Sequence, residues 1–110
     1  MICRVWHGWT AARNADAYEH LLKEEIFVGI ASRHIEGFRG IQLLRSENDD
    51  ETEFVTIMWF TSIDAVRRFA GDDYTKSVVP PKARALLVRY DNRSAHYEVR
   101  EEQRPARTDP

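Results

Sequence analysis

The chain has 110 residues, 43% of them hydrophobic and 11% aromatic, and a formal charge of −2 from 16 Lys and Arg against 18 Asp and Glu. That length suits one domain with a core of its own, and the interspersed charges form neither a basic face for nucleic acid nor a basic block for an anionic membrane. A lone Cys3 excludes an internal disulfide and a multi-cysteine metal site. No apolar run approaches the ~18 residues that span a bilayer, and Met1–Trp6 lacks a basic region followed by an apolar stretch, so the cytoplasm is the expected address.

Ile2 to Trp9 reads as a first strand, with Cys3, Val5, His7 and Trp9 on one face and Ile2, Arg4, Trp6 and Gly8 on the other. Neither set is wholly polar, which marks an interior strand. Asn14 is the expected N-cap of a helix from Ala15 to near Ala31, in which Tyr18, Leu21, Leu22, Ile26 and Ile30 recur at helical spacing. Gly37 eases the turn into a second strand, Phe38 to Glu47. Asn48-Asp49-Asp50 then turns the chain into a hairpin with a third, Glu53 to Phe60.

The third strand is the most informative. Val55, Ile57 and Trp59 alternate with Phe54, Thr56, Met58 and Phe60, so both faces are largely apolar and both must be covered. Thr61 or Ser62 caps a second helix carrying Ile63, Val66 and Phe69, and Gly71 ends it. An irregular segment follows from Asp72. Pro80-Pro81 opens a short helical turn to Leu86 and Leu87, and Ser94 to Arg100 reads as the last strand. Residues 1–100 form the expected domain and 101–110 a polar tail. The order β-α-β-β-α-β predicts an α+β, ferredoxin-like sandwich whose helices cover one sheet face, leaving the other for a second copy in a two-fold homodimer.

That order, the Phe38-Arg39-Gly40 start of the second strand, the strand ending in Trp59 before a capped helix, and His96-Tyr97-Glu98-Val99 together resemble the antibiotic biosynthesis monooxygenase family. The resemblance spans roughly residues 1 to 100 and implies a dimeric α+β barrel. It further implies an oxygenase that needs no flavin or metal and acts on a small aromatic or quinol-type compound. A non-catalytic, dimeric ligand-binding or stress-related module of the same fold is the alternative. The haem-cleaving branch has an Asn on the first strand, a Trp in the second helix and a His after it. Here those places offer His7, Phe69 and a His-free Tyr74–Lys82 segment, so haem cleavage is not assigned and no cofactor is expected.

The expected site lies between helices and sheet. His7 is its candidate base, because imidazole titrates near neutral pH. His96, in the strand beside the first, and Tyr74, whose hydroxyl can meet a ligand oxygen, are the other catalytic candidates. Trp6, Trp59 and Phe69 are candidates for an aromatic wall; the plain alternative for all six is a structural or core role. Arg39 and Arg84 could hold an anionic substrate, but solvated surface arginines are the more ordinary reading. Four histidines without i, i+3 or i, i+4 pairing suggest no metal, and Asp72-Asp73 sits in no calcium-type loop.

Overall fold

The computed structural model describes residues 1–106; positions 107–110 of the expected tail lie outside the described residues. The elements are strand β1 (Ile2–Ala11), helices α1 (Ala15–Leu21) and α2 (Phe27–Ser32), strands β2 (Phe38–Glu47) and β3 (Glu51–Phe60), helices α3 (Ile63–Ala70) and α4 (Pro81–Leu86), and strands β4 (Leu87–Tyr90) and β5 (Ala95–Glu98). Between α1 and α2 the chain stays helical through Leu22–Ile26 but widens there to a π-type turn. No helix among the described residues is long and apolar enough to cross a membrane.

The sheet is antiparallel, in the order β2-β3-β1-β4, with β5 also paired to β1. β3 sits in the middle as its two apolar faces require: Trp6 lies opposite Thr56 on one side, and Leu43 opposite Thr56 on the other. The even-numbered residues Phe54, Met58 and Phe60 are buried under the helices. One buried cluster joins Phe54 to Ala15, Tyr18, Leu21, Leu22 and Ala83; a second joins Met58 and Phe60 to Ala65 and Val66. Tyr18 meets Phe54 edge-on at 4.9 Å between ring centroids, an arrangement that aromatic quadrupoles favour.

Local chemistry sets most boundaries. Ser62 Oγ accepts from the Ala65 N–H and caps α3, which stops at Gly71 with φ +93. Pro81 occupies the first position of α4, where its missing N–H costs nothing. Gly37 turns the chain at φ +88, and a Cβ there would fall 2.6 Å from both Ala65 Cβ and Thr61 Oγ1.

Two boundaries differ from expectation. Asn14 makes no side-chain capping bond. It ends a 3₁₀ turn (Ala12–Asn14) whose Ala12 carbonyl already accepts from the Ala15 N–H, so the helix starts on backbone partners. The expected last strand, Ser94 to Arg100, shortens to β5 (Ala95–Glu98), and an unforeseen strand, β4, precedes it on the same edge of β1. β4 follows α4 with no linker and pairs Tyr90 with Gly8, while β5 pairs Ala95 with Val5 and Glu98 with Ile2. Asp91–Ser94 breaks the edge opposite Trp6 and His7. The Asp91 carbonyl there accepts from Trp6 Nε1 at 2.9 Å, and the Asp91 N–H donates to the His7 carbonyl at 2.9 Å.

Candidate functional site

β1 and β3 present Arg4, Trp6, Thr56 and Met58 to the helices. Over them lie Leu22, Ile26, Phe27 and Ile30 from the helical layer, Phe69 from α3, and Val78, Val79 and Pro80 from the crossing segment. These groups line a cavity of about 60 Å³, partly open to solvent, at the seam between the two buried clusters. A water needs roughly 10–15 Å³ on this footing, and a cavity that takes benzene is about 150 Å³. The space as it stands therefore suits a few waters, and a ring enters only if Val78–Pro80 moves aside. Its lining is mostly apolar, with Arg4, Thr56 and Ser94 supplying the polar groups. The π-type turn contributes Leu22 and Ile26 to the wall, and such turns interrupt helices frequently at functional sites.

Arg4 is 3% exposed. Its Nη1 donates to the Tyr74 carbonyl and approaches His96 Nε2 at 3.1 Å, and its Nη2 donates to the Lys76 carbonyl at 3.0 Å. The guanidinium also stands 5.5 Å from the Phe69 ring centroid. Burial lowers the Arg4 pKa to about 10, which still leaves it charged at neutral pH. Among the described residues no carboxylate pairs with it: Asp64 is held by Arg67 at 2.9 Å and Asp73 by Arg93 at 2.9 Å.

The contact with Arg4 also fixes His96. Arginine only donates, so Nε2 of His96 must be the acceptor and its proton must sit on Nδ1. Burial and the Arg4 charge both lower the His96 pKa. The lone pair a base would use is already engaged. Tyr74 packs edge-on against His96 at 5.1 Å, with Arg67 5.1 Å from its ring centroid.

The structure therefore divides the six expected site residues into three groups. Trp6 and Phe69 line the cavity; Tyr74 and His96 stand on the far side of Arg4 and are not in the lining. His7 and Trp59 belong to the opposite sheet face. His7 Nδ1 is 2.9 Å from Glu53 Oε2 and its ring stacks on Trp9, while Trp59 Nε1 donates to Gln42 Oε1 at 3.1 Å. The cause is strand parity: residues adjacent on a strand point to opposite faces, so Trp6 and His7 cannot both reach the cavity. Arg39 and Arg84 are exposed and outside the lining as well. Sequence reasoning passed over Arg4, Thr56 and Ser94. The available signal was that Arg4 is the one charged residue on the otherwise uncharged Ile2, Trp6, Gly8 face of β1.

Among the described residues the opposite face carries no helix. Val5, Val55, Ile57 and Trp59 are partly covered there, while Leu44 (46% exposed) and Tyr97 (58%) stand open. Among the described residues no group of three or more His, Cys, Asp or Glu lies close enough to hold a metal ion.

No family model and no curated protein matches the sequence. Solved structures do match the fold. A Bacillus cereus protein provisionally designated an antibiotic biosynthesis monooxygenase superposes with a TM-score of 0.66 at 15% identity, over 94% of this chain and 97% of that one. SnoaB, a cofactor-independent oxygenase from Streptomyces nogalater, superposes with a TM-score of 0.53 at 22% identity, over 92% of this chain and 95% of that one. At these identities the likeness is one of architecture: the chain has the α+β, ferredoxin-like fold of both proteins along nearly its whole length.

Proposed function

We propose that the chain is a cofactor-independent monooxygenase of a small aromatic or quinol-type compound, working as a homodimer. The observation that carries this reading is the helix–sheet cavity with Trp6 and Phe69 in its wall and Arg4 at its polar end, on a fold shared with SnoaB. In such chemistry the deprotonated substrate is itself the reductant. A ring C–H para to the oxyanion becomes a carbonyl, one oxygen atom of O2 enters that carbon, and the other leaves as water with the ring hydrogen and the hydroxyl proton, so that a phenol and O2 give a quinone and water. The protein's part is to bind a planar ring, exclude water and favour the anion. The cavity volume favours a compact ring over a polycyclic one, and even a single ring requires Val78–Pro80 to move aside. The dimer is supported by the open sheet face: Val5, Val55, Ile57, Leu44 and Tyr97 form an apolar surface that this chain does not cover.

One observation favours a second reading, a dimeric module that binds a ligand without turning it over. No side chain in the cavity lining accepts a proton near neutral pH, because its polar groups are Arg4, Thr56 and Ser94. Oxygen uptake by purified, metal-free protein across a panel of hydroquinones and anthrones separates the two. Uptake above the uncatalysed rate, with one oxygen atom from labelled O2 in the product, is the expected result. Saturable binding with no uptake would leave the binding module standing and sink the oxygenase.

A further inference from the structure

We propose that Arg4 makes the cavity an anion site, selective for a compact aromatic ring bearing a single oxyanion, either a phenolate-type or a carboxylate oxygen. This deepens the small-molecule reading of the cavity and rests on it, but it does not depend on oxygen chemistry.

A guanidinium taken out of water loses its hydration, and buried cations are therefore nearly always paired. Arg4 is the exception here. It is 3% exposed, it lines the cavity, and its recorded partners are two carbonyls and a neutral imidazole. Two carbonyl dipoles orient the group and offset part of the desolvation, but they leave its full positive charge uncompensated. They also leave donors over, since a guanidinium has five N–H bonds and three are engaged. Arg33 adds a second cation nearby, 5.4 Å from the Phe69 ring centroid, whereas the charge of Arg67, which covers Tyr74, is answered by Asp64. Among the described residues no carboxylate forms an ion pair with Arg4: β5 gives it His96, the crossing segment gives Tyr74 and Lys76, and the carboxylates of Asp64 and Asp73 are committed to Arg67 and Arg93. Next to this unanswered charge is a mainly apolar space of about 60 Å³ with an indole and a phenyl ring in its wall. With Val78–Pro80 moved aside to admit it, a flat ring with one anionic oxygen completes both halves of that environment. Neutral rings satisfy the walls alone, and small inorganic anions satisfy the guanidinium alone.

The site thereby supplies what the missing base does not. Binding the anion in preference to its conjugate acid lowers the acid's pKa in the complex, without any side chain having to take the proton.

The test uses the intact protein and three probes: 4-nitrophenol, benzoate, and uncharged 4-nitrotoluene as the shape control. Expected is binding of at least one anion about tenfold or more tighter than 4-nitrotoluene, which corresponds to one pKa unit of preference. If the phenolate is the preferred anion, bound 4-nitrophenol also shows its yellow phenolate band at lower pH than the free compound. Whichever of 4-nitrophenolate and benzoate binds better assigns the oxyanion type. Arg4→Met should abolish the preference while keeping weak 4-nitrotoluene binding, and Arg4→Lys should restore part of it. Should Arg4→Met fail to fold, the comparison of anion and isostere in the unmodified protein still decides. Equal affinity for 4-nitrophenolate, benzoate and 4-nitrotoluene would overturn the proposal, as would no binding of any probe or an anion preference that survives Arg4→Met. Anion binding without oxygen uptake would leave the site standing and remove only the oxygenase.

Discussion

Gly8 and Trp6 share the helix-side face of β1, and the indole occupies the space a side chain at residue 8 would need: a Cβ there would stand 2.7 Å from Trp6 Cη2 and 3.0 Å from Leu87 Cδ2. The absence of a side chain at Gly8 is therefore what lets Trp6 lie flat beneath the helices and donate to the Asp91 carbonyl. Gly8→Ala should drive the indole toward the cavity. Overpacking of this kind costs about 1–3 kcal/mol, readable as a lower denaturant midpoint at unchanged slope. Probe binding should weaken in parallel. An unchanged midpoint together with unchanged binding would show that the indole has slack.

The open face should behave as an interface. Ile57 is central to it, paired across to Val5 and Gln42 in the strands on either side. In the proposed dimer, Ile57→Glu would bury a charge at the middle of an apolar contact, at a cost of several kcal/mol. Obligate dimers bury roughly 2,000 Å² or more in total, so the wild-type protein should sediment as a dimer at micromolar concentration and the variant as a folded monomer. A wild-type protein that sediments as a stable monomer ends the homodimer.

Much of the fold was legible because its rules are local. The apolar run of β3, the Ser62 cap, the Gly71 stop and Pro81 at the start of α4 each carry their own physical reason in a few neighbouring residues. The break between β4 and β5 was not legible, since it is set by partners about 85 residues away: the Asp91 carbonyl and N–H bond to Trp6 and His7 on β1. The candidate site was half legible. Strand alternation already assigned Trp6 and His7 to opposite faces, and applying it strictly would have removed His7 and Trp59 from the cavity. Arg4 was harder to find, because only the fold shows that its partners are carbonyls and not carboxylates.

His7 should matter to assembly and not to the cavity. Its Nδ1 meets Glu53 Oε2 at 2.9 Å on the open face, with the two side chains 38% and 27% exposed. His7→Ala leaves Glu53 without that partner on a surface the dimer would cover. The expected outcome is a weaker dimer by sedimentation, with probe affinity in the cavity unchanged. Loss of probe binding in a variant that remains dimeric would return His7 to the site.

The last prediction concerns pH, through His96. Burial first, and the Arg4 charge second, place its folded-state pKa below the ordinary 6.5. The sign follows from proton counting. As pH falls through about 6.5 the unfolded chain takes up the proton while the folded chain resists it, so the unfolded state binds more protons and stability decreases. His96 therefore contributes stability that is complete above the unfolded pKa and is lost as pH falls through the folded one. A protonated His96 would also present an N–H where Arg4 now donates, turning an attractive contact into a repulsive one. Thermal unfolding at a series of pH values should show the melting temperature dropping on acidification across this window. The chain has three other histidines, so the informative quantity is the difference between the wild-type protein and His96→Gln. Glutamine's side-chain oxygen can accept from Arg4 but takes no proton in this range, so the variant should lose part of the slope while matching the wild type near neutrality. Identical slopes in the two proteins would mean that His96 titrates freely and that Arg4 does not hold its lone pair.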